Sequence, residues 1–283
     1  AGVQQSVNGM PLFGDAASYG GWFKIISTLS WGLGYFGVPQ VLLRFMAIRS
    51  TKELTQSRRI ATVWCVISLF AAVTIGMVGR SMLPADPVLA TASGAENVFV
   101  NMSQILLPPL LAGLVMAGIL AATISSSDSY LLIAASAVAK DMYSGIWKKD
   151  ATDAAVMRVS RLVLLMISFI GIVIAWNEES VIFRIVSFAW AGFGATFGPA
   201  MLFSLFWRRT NRQGAMAGMI VGGVAVFIWK LVLSPMGGFF AVYELFPAFV
   251  LSCIAIVIVS LATPAPSAAI TDEFDRVAGY SET

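Results

Sequence analysis

Between residues 21 and 263 the chain passes through seven apolar stretches, 21–47, 59–82, 107–142, 156–176, 181–207, 214–234 and 241–263, joined by polar connections. Each reaches or exceeds the roughly 20 residues that an α-helix needs to cross the hydrocarbon core of a bilayer. No water is present there to satisfy backbone N–H and C=O groups, so a span must close its hydrogen bonds within itself. A β-barrel would need short blocks of alternating apolar and polar residues instead, and the sequence has none. The expected fold class is an all-α polytopic membrane protein with about seven transmembrane helices. With 12% charged and 58% hydrophobic residues, the chain lies outside the usual range of soluble globular domains.

Fourteen of the 18 basic residues fall on every second connection, and Lys24, Arg80, Arg184 and Lys230 fall on the other side. Arg44, Arg49, Lys52, Arg58 and Arg59 follow the first stretch; Lys140, Lys148, Lys149, Arg158 and Arg161 follow the third; Arg208, Arg209 and Arg212 follow the fifth; Arg276 lies in the tail. Cytoplasmic connections carry the excess of Lys and Arg. That places residue 1 outside and the C-terminus in the cytoplasm, in a multi-pass protein of the plasma membrane. The net charge of +3 then reports orientation, and no basic run interleaves with aromatics as a nucleic-acid face would. Membrane lipid is the expected partner and nucleic acid is not.

Cys65 and Cys253 sit inside apolar stretches and are expected to be small buried hydrophobes. The sequence has no histidine, which removes the usual proton-relay side chain. The first twenty residues have no charged n-region and no apolar h-region, so they do not read as a signal peptide. An odd number of spans beginning abruptly outside suggests that further helices of the same protein precede this chain. Two regions are expected: residues 1–263 as a transmembrane domain and residues 264–283 as a polar, mostly disordered tail.

Two stretches depart from plain apolar helix. In the first, Gly32, Gly34, Gly37 and Pro39 fall close together, and glycine frees the backbone where proline removes an N–H. Two half-helices around an unwound centre are expected, a device that lines substrate sites in secondary transporters. A kink that merely improves packing is the other reading. The connection after Ser81 contains a second segment with helical spacing, ENVFVNMSQILL, expected as a short helix over the outer mouth or on the surface. Glycines 192, 194 and 198 and the small residues of the sixth stretch are expected to allow close helix packing.

The second departure is AATISSSDS, residues 121–129, in the middle of the third apolar stretch. Residues three and four apart share a helix face, so Ala122, Ser125, Ser126 and Ser129 form one stripe with Asp128 close to it. Neutral hydroxyls and carbonyls suit a hard cation, which prefers oxygen ligands. Serines in spans also bond to their own preceding turn or to neighbouring helices. A carboxylate inside a membrane is costly and marks a candidate functional site, or a partner for a basic residue or hydroxyls on another helix.

Three stretches, WGLGYFGVPQVLLRFMAIRS, GILAATISSSDSYLLIAASAVAKDMY and SFAWAGFGATFGPAMLFSLFWRR, together resemble the sodium/solute symporter family, most closely its sodium/proline symporters. The resemblance implies a leucine-transporter-type fold of two inverted five-helix repeats, of which this chain holds the second plus two C-terminal helices. It implies a sodium ion held by the Ala122 carbonyl and the Ser125 and Ser126 hydroxyls. Some relatives place a second sodium one turn further along, where Asp128 and Ser129 stand beside Ser125. Trp31, Tyr35 and Pro39 match the positions at which such proteins hold proline or a similar small solute, although an aromatic stripe can equally be packed core. The activity implied is sodium-coupled symport, which breaks no bond and is not enzymatic. A sensory input domain of a signalling protein and proton-coupled transport of another solute are the alternatives.

Overall fold

The computed structural model describes residues 19–83, 92–176 and 182–279, which contain helices and connections and, among them, no β-strand. In chain order the α-helices of eight or more residues are α1 (Tyr19–Gly34), α2 (Pro39–Met46), α3 (Thr51–Met82), α4 (Val98–Leu106), α5 (Pro109–Ser136), α6 (Asp153–Ala175), α7 (Ile182–Phe206), α8 (Arg212–Ile228), α9 (Leu245–Ala262) and α10 (Ala268–Ala278). Helix α5 continues as a π-helix over Ala137–Trp147, and α8 over Trp229–Leu233. Six of these helices are long and apolar enough to cross a membrane. The remaining apolar stretch, 21–47, is the α1–α2 pair, interrupted as its glycines and proline predict.

The described residues form two compact parts. One runs to Ser57 and resumes at Phe183; the other is Arg58–Ile182. In the first part α7, α8 and α9 bury a core that includes Ala191, Ala195, Val226, Leu245, Ala248 and Phe249. Glycine stripes make it tight. A Cβ on Gly214 would overlap Ser260 Oγ, and one on Gly218 would overlap the Ile256 side chain, so α8 lies against α9 with no room for larger residues. Pro199, buried inside α7, has no N–H to give the carbonyl four residues back. That carbonyl belongs to Ala195, and Gly222 of α8 is pressed so close to it that a Cβ would overlap its oxygen.

Asn211 ties the connections of this part together. Its Oδ1 accepts from Gly214 N at 2.8 Å as the N-cap of α8. Its Nδ2 donates to Thr263 Oγ1 at 2.7 Å and to Pro264 O at 2.8 Å, beyond the end of α9. Loss of a cap costs about 1 kcal/mol, and orphaning a buried acceptor adds roughly 1–3 kcal/mol. Asn211→Ala is therefore expected to lower the thermal unfolding midpoint of the purified protein clearly, and Asn211→Asp to lower it as well, because the carboxylate keeps the cap acceptor but turns an oxygen toward Pro264 O.

The expectation of a mostly disordered tail is overturned, because residues 268–278 form α10. The Ser267 carbonyl accepts from Ile270 N at 3.0 Å to open the helix, and Gly279 at φ 78° closes it in the left-handed conformation that glycine adopts freely. Arg208 anchors α10 from outside, donating through Nε to Asp275 Oδ1 at 2.8 Å and through Nη2 to Oδ2 at 2.6 Å. The hydrogen bonds from this guanidinium, reinforced by its charge, hold the Asp275 carboxyl below the usual carboxylate range. A depressed carboxyl stabilises the docked helix above its unfolded pKa and loses that contribution as pH falls through the folded value.

In the second part α6 packs on α5 and on its π-helical continuation. The segment expected after Ser81 is α4, and Gly79 of α3 meets Val98 and Met102 of it too closely for a Cβ. Residues 84–91 of that connection lie outside the described residues. The most apolar windows of α3 and α6 contain no buried residue, so lipid or further helices must cover them. Cys65 is exposed on α3, contrary to the expectation of a buried hydrophobe, and Cys253 is half-buried. The packing expectation holds for Gly194 and Gly198, whereas a Cβ on Gly192 would meet nothing within 4 Å.

Candidate functional site

The break between α1 and α2 is built by close backbone contact. Helix α1 stops at Gly34, a turn follows in which Gly37 N donates to Gly34 O at 3.0 Å, and α2 starts with Pro39 at its first position after an extended Val38. Proline there has its φ already set for helix and no N–H to leave unpaired. A Cβ on Gly37 would overlap Phe193 O and come within 2.8 Å of Gly198 N; one on Gly194 would come within 2.7 Å of Gly34 Cα. The unwound turn is held against α7 at a distance that only glycines permit.

Aromatic rings gather on the same turn. Trp31 stacks with Phe183, Trp190 and Tyr243 at centroid distances of 5.3, 5.8 and 5.8 Å. Tyr35 sets its ring edge-on to Trp190 at 4.8 Å. Trp190 Nε1 donates to Trp31 O at 3.1 Å, one of the carbonyls that a helix end leaves short of partners. Tyr243 joins from the connection before α9, its hydroxyl donating to Ser187 O at 2.6 Å and its N–H to Ser27 Oγ at 3.0 Å. Of the three expected solute residues, Trp31 is half-buried in this stack, Pro39 is half-buried at the start of α2, and Tyr35 is exposed.

Trp190, Phe183 and Tyr243 were not singled out from sequence. Trp190 sits within SFAWAGFG, where the glycines drew the packing reading; an aromatic flanked by them was the available signal. For Phe183 and Tyr243 no local pattern marks the role. Nearby, Lys230 Nζ lies 3.2 Å from one carboxylate oxygen of Glu244 and 3.4 Å from the other, and Glu244 is buried.

The serine stripe belongs to the other compact part. Ala122, Ser125, Ser126, Asp128 and Ser129 all lie in regular α5, and all are exposed. The hydroxyls divide into two groups. Thr123 Oγ1 donates to Ile119 O at 2.9 Å and Ser129 Oγ to Ser125 O at 3.1 Å, the bonds to the preceding turn usual for such residues. Ser125, Ser126 and Ser127 make no such bond, and Asp128 has neither a hydrogen bond nor an ion pair among the described residues. A helical carbonyl such as that of Ala122 keeps a second lone pair, so Ala122, Ser125 and Ser126 offer three oxygen donors along one exposed face.

A sequence model of the sodium:solute symporter family matches residues 17–222. The chain belongs to this family. It is 41% identical over 254 residues to a sodium/proline symporter of Haemophilus influenzae, an alignment covering 89% of this chain and 50% of that protein. It is 40% identical over 257 residues to the high-affinity proline transporter PutP of Bacillus subtilis, covering 89% and 52%. To the osmoregulated proline transporter OpuE of the same organism it is 42% identical over 246 residues, covering 87% and 49%. The chain thus spans about half the length of the curated relatives it matches. No solved structure matches it. Family membership together with six helices of spanning length makes this a multi-pass membrane protein, and its relatives are transporters.

Proposed function

We propose that the chain is part of a sodium-coupled symporter that imports proline or a similar small solute by alternating access. The observation that carries this reading is the pair of hydroxyls, Ser125 and Ser126, left unbonded on an exposed helix face, in a chain about 40% identical to named sodium/proline symporters. Hydroxyls desolvated inside a membrane without a partner are unfavourable. A dehydrated sodium ion supplies the partner.

In this reading Ala122 O, Ser125 Oγ and Ser126 Oγ take part of the sodium shell, and the remaining ligands come from helices outside this chain. Asp128 and Ser129, beside Ser125, are the candidates for a second cation. Tyr35 offers a phenol and Trp31 an apolar wall to the solute, next to the turn ahead of Pro39, with Trp190 fixing both rings. Residues 1–263 form the transmembrane region, its Arg- and Lys-rich connections and the C-terminus on the cytoplasmic side. Each sodium ion moving inward yields about 2.3 kcal/mol per 100 mV of membrane potential. Sodium couples to solute by binding one conformation better than the other. No covalent bond changes, so the protein acts as a transporter and not an enzyme.

The test is uptake of radiolabelled proline by the full-length protein in proteoliposomes under imposed sodium or pH gradients. A sodium gradient should drive accumulation; uptake indifferent to sodium and driven by pH would overturn the reading. Trp31→Ala should raise the half-saturating proline concentration, with partial recovery in Trp31→Phe, which keeps a ring in the stack. An unchanged value in Trp31→Ala would remove this residue from the site.

A further inference from the structure

The end of α7 and helix α10 enclose a groove of about 990 Å³. One wall is Leu205, Phe206 and Trp207; the other is Ile270, Phe274 and Val277. The last three are spaced i, i+4 and i+7 and so form one stripe of α10, with Glu273 at the edge of the groove and Asp272 and Arg276 on the opposite side. Phe206 is the final residue of a helix of spanning length and is 78% exposed. Trp207 follows it, then Arg208, Arg209 and Arg212. Tryptophan and arginine after an apolar span mark the level where hydrocarbon gives way to headgroups.

The surroundings of Phe206 are therefore lipid, and the groove opens from that same surface. Ile270 and Val277, 54% and 69% exposed, continue the apolar area from α7 onto α10. Charge does not oppose this placement. Asp275 is paired with Arg208 and Glu273 with Arg276, and Arg209 donates to Thr263 O at 2.8 Å while keeping its positive charge at the same level.

We infer that α10 is an interfacial helix, lying in the membrane surface beside the end of α7, with the acyl chains of bilayer lipid filling the groove between them. Such helices bury their apolar face about 5–10 Å into the headgroup–acyl boundary. The Arg208–Asp275 pair sets the position of the helix along the surface, and the Ile270, Phe274 and Val277 stripe sets its rotation.

The experiment uses the full-length protein with Cys65→Ser and Cys253→Ala, reconstituted in vesicles of phosphatidylcholine and phosphatidylglycerol. Nitroxide labels are placed singly at Ile270→Cys, Val277→Cys and Asp272→Cys, and collision with oxygen is compared with collision with a water-soluble nickel chelate. Labels at 270 and 277 should favour oxygen severalfold over the label at 272, and Phe274→Asp should erase the preference at 277. Equal access of the nickel chelate to all three would put α10 in water and overturn the inference. Exclusion of both reagents at 270 and 277 would show a protein cover, from a second copy or another segment, and would overturn it as well.

Discussion

Changing Ser125 and Ser126 together to alanine is expected to abolish sodium-driven proline uptake by the full-length protein, while leaving its insertion in the membrane intact. The two hydroxyls make no bond within α5, so their removal costs the helix nothing it uses for its own stability. In the proposed site it removes two oxygen ligands from the sodium ion. Loss of a partner that merely orients a metal ligand typically costs about 10–100-fold in affinity, and loss of two ligands should cost at least that. Thr123→Val is the matching control, because Thr123 already bonds to Ile119 O at 2.9 Å; only a small change is expected, in keeping with the ~0.6 kcal/mol average for hydrogen bonds between spans. A half-saturating sodium concentration unchanged in the double variant would refute the assignment.

The second large effect is structural. Gly37→Ala should destabilise the protein, because the added carbon would overlap Phe193 O and crowd Gly198 N. Both obstacles are backbone of α7 and cannot rotate away. Overpacking of well-packed sites costs typically 1–3 kcal/mol, occasionally more. Gly32→Ala, five residues earlier, meets nothing within 4 Å and replaces a poor helix former by the best, a gain of up to about 1 kcal/mol. The two substitutions add the same methyl group to the same broken helix, so opposite signs in the thermal unfolding midpoint are the expected result. Equal shifts would mean that the unwound turn is not held against α7 as described.

Much of the architecture is legible in the residues because a bilayer leaves few options. Apolar length alone marks the spans, and glycines with a proline mark the break before Pro39, since each acts through its own backbone. The serine stripe is legible for a similar reason, as helix periodicity places Ala122, Ser125 and Ser126 on one face whatever surrounds them. Composition misled at the tail. Residues 268–278 are polar enough to suggest disorder, yet a bidentate contact from Arg208, more than sixty residues earlier, orders them into α10. No local pattern could announce that pairing.

By itself, then, the amino-acid sequence determined that this protein crosses a membrane as helices, that one of them is broken, and that one carries an oxygen-rich face. These follow from local chemistry: hydrocarbon forbids unpaired backbone, glycine and proline interrupt a helix, and serine at helical spacing lines up. Tertiary structure decided which of those features act together. It brought Phe183, Trp190 and Tyr243 around Trp31, pressed Gly37 against α7, and separated hydroxyls that bond to their own helix from those that do not. The first two depend on contacts between residues far apart in the chain, where packing distance rather than residue type sets the outcome; the last depends on which hydroxyls turn back to the carbonyl one turn earlier.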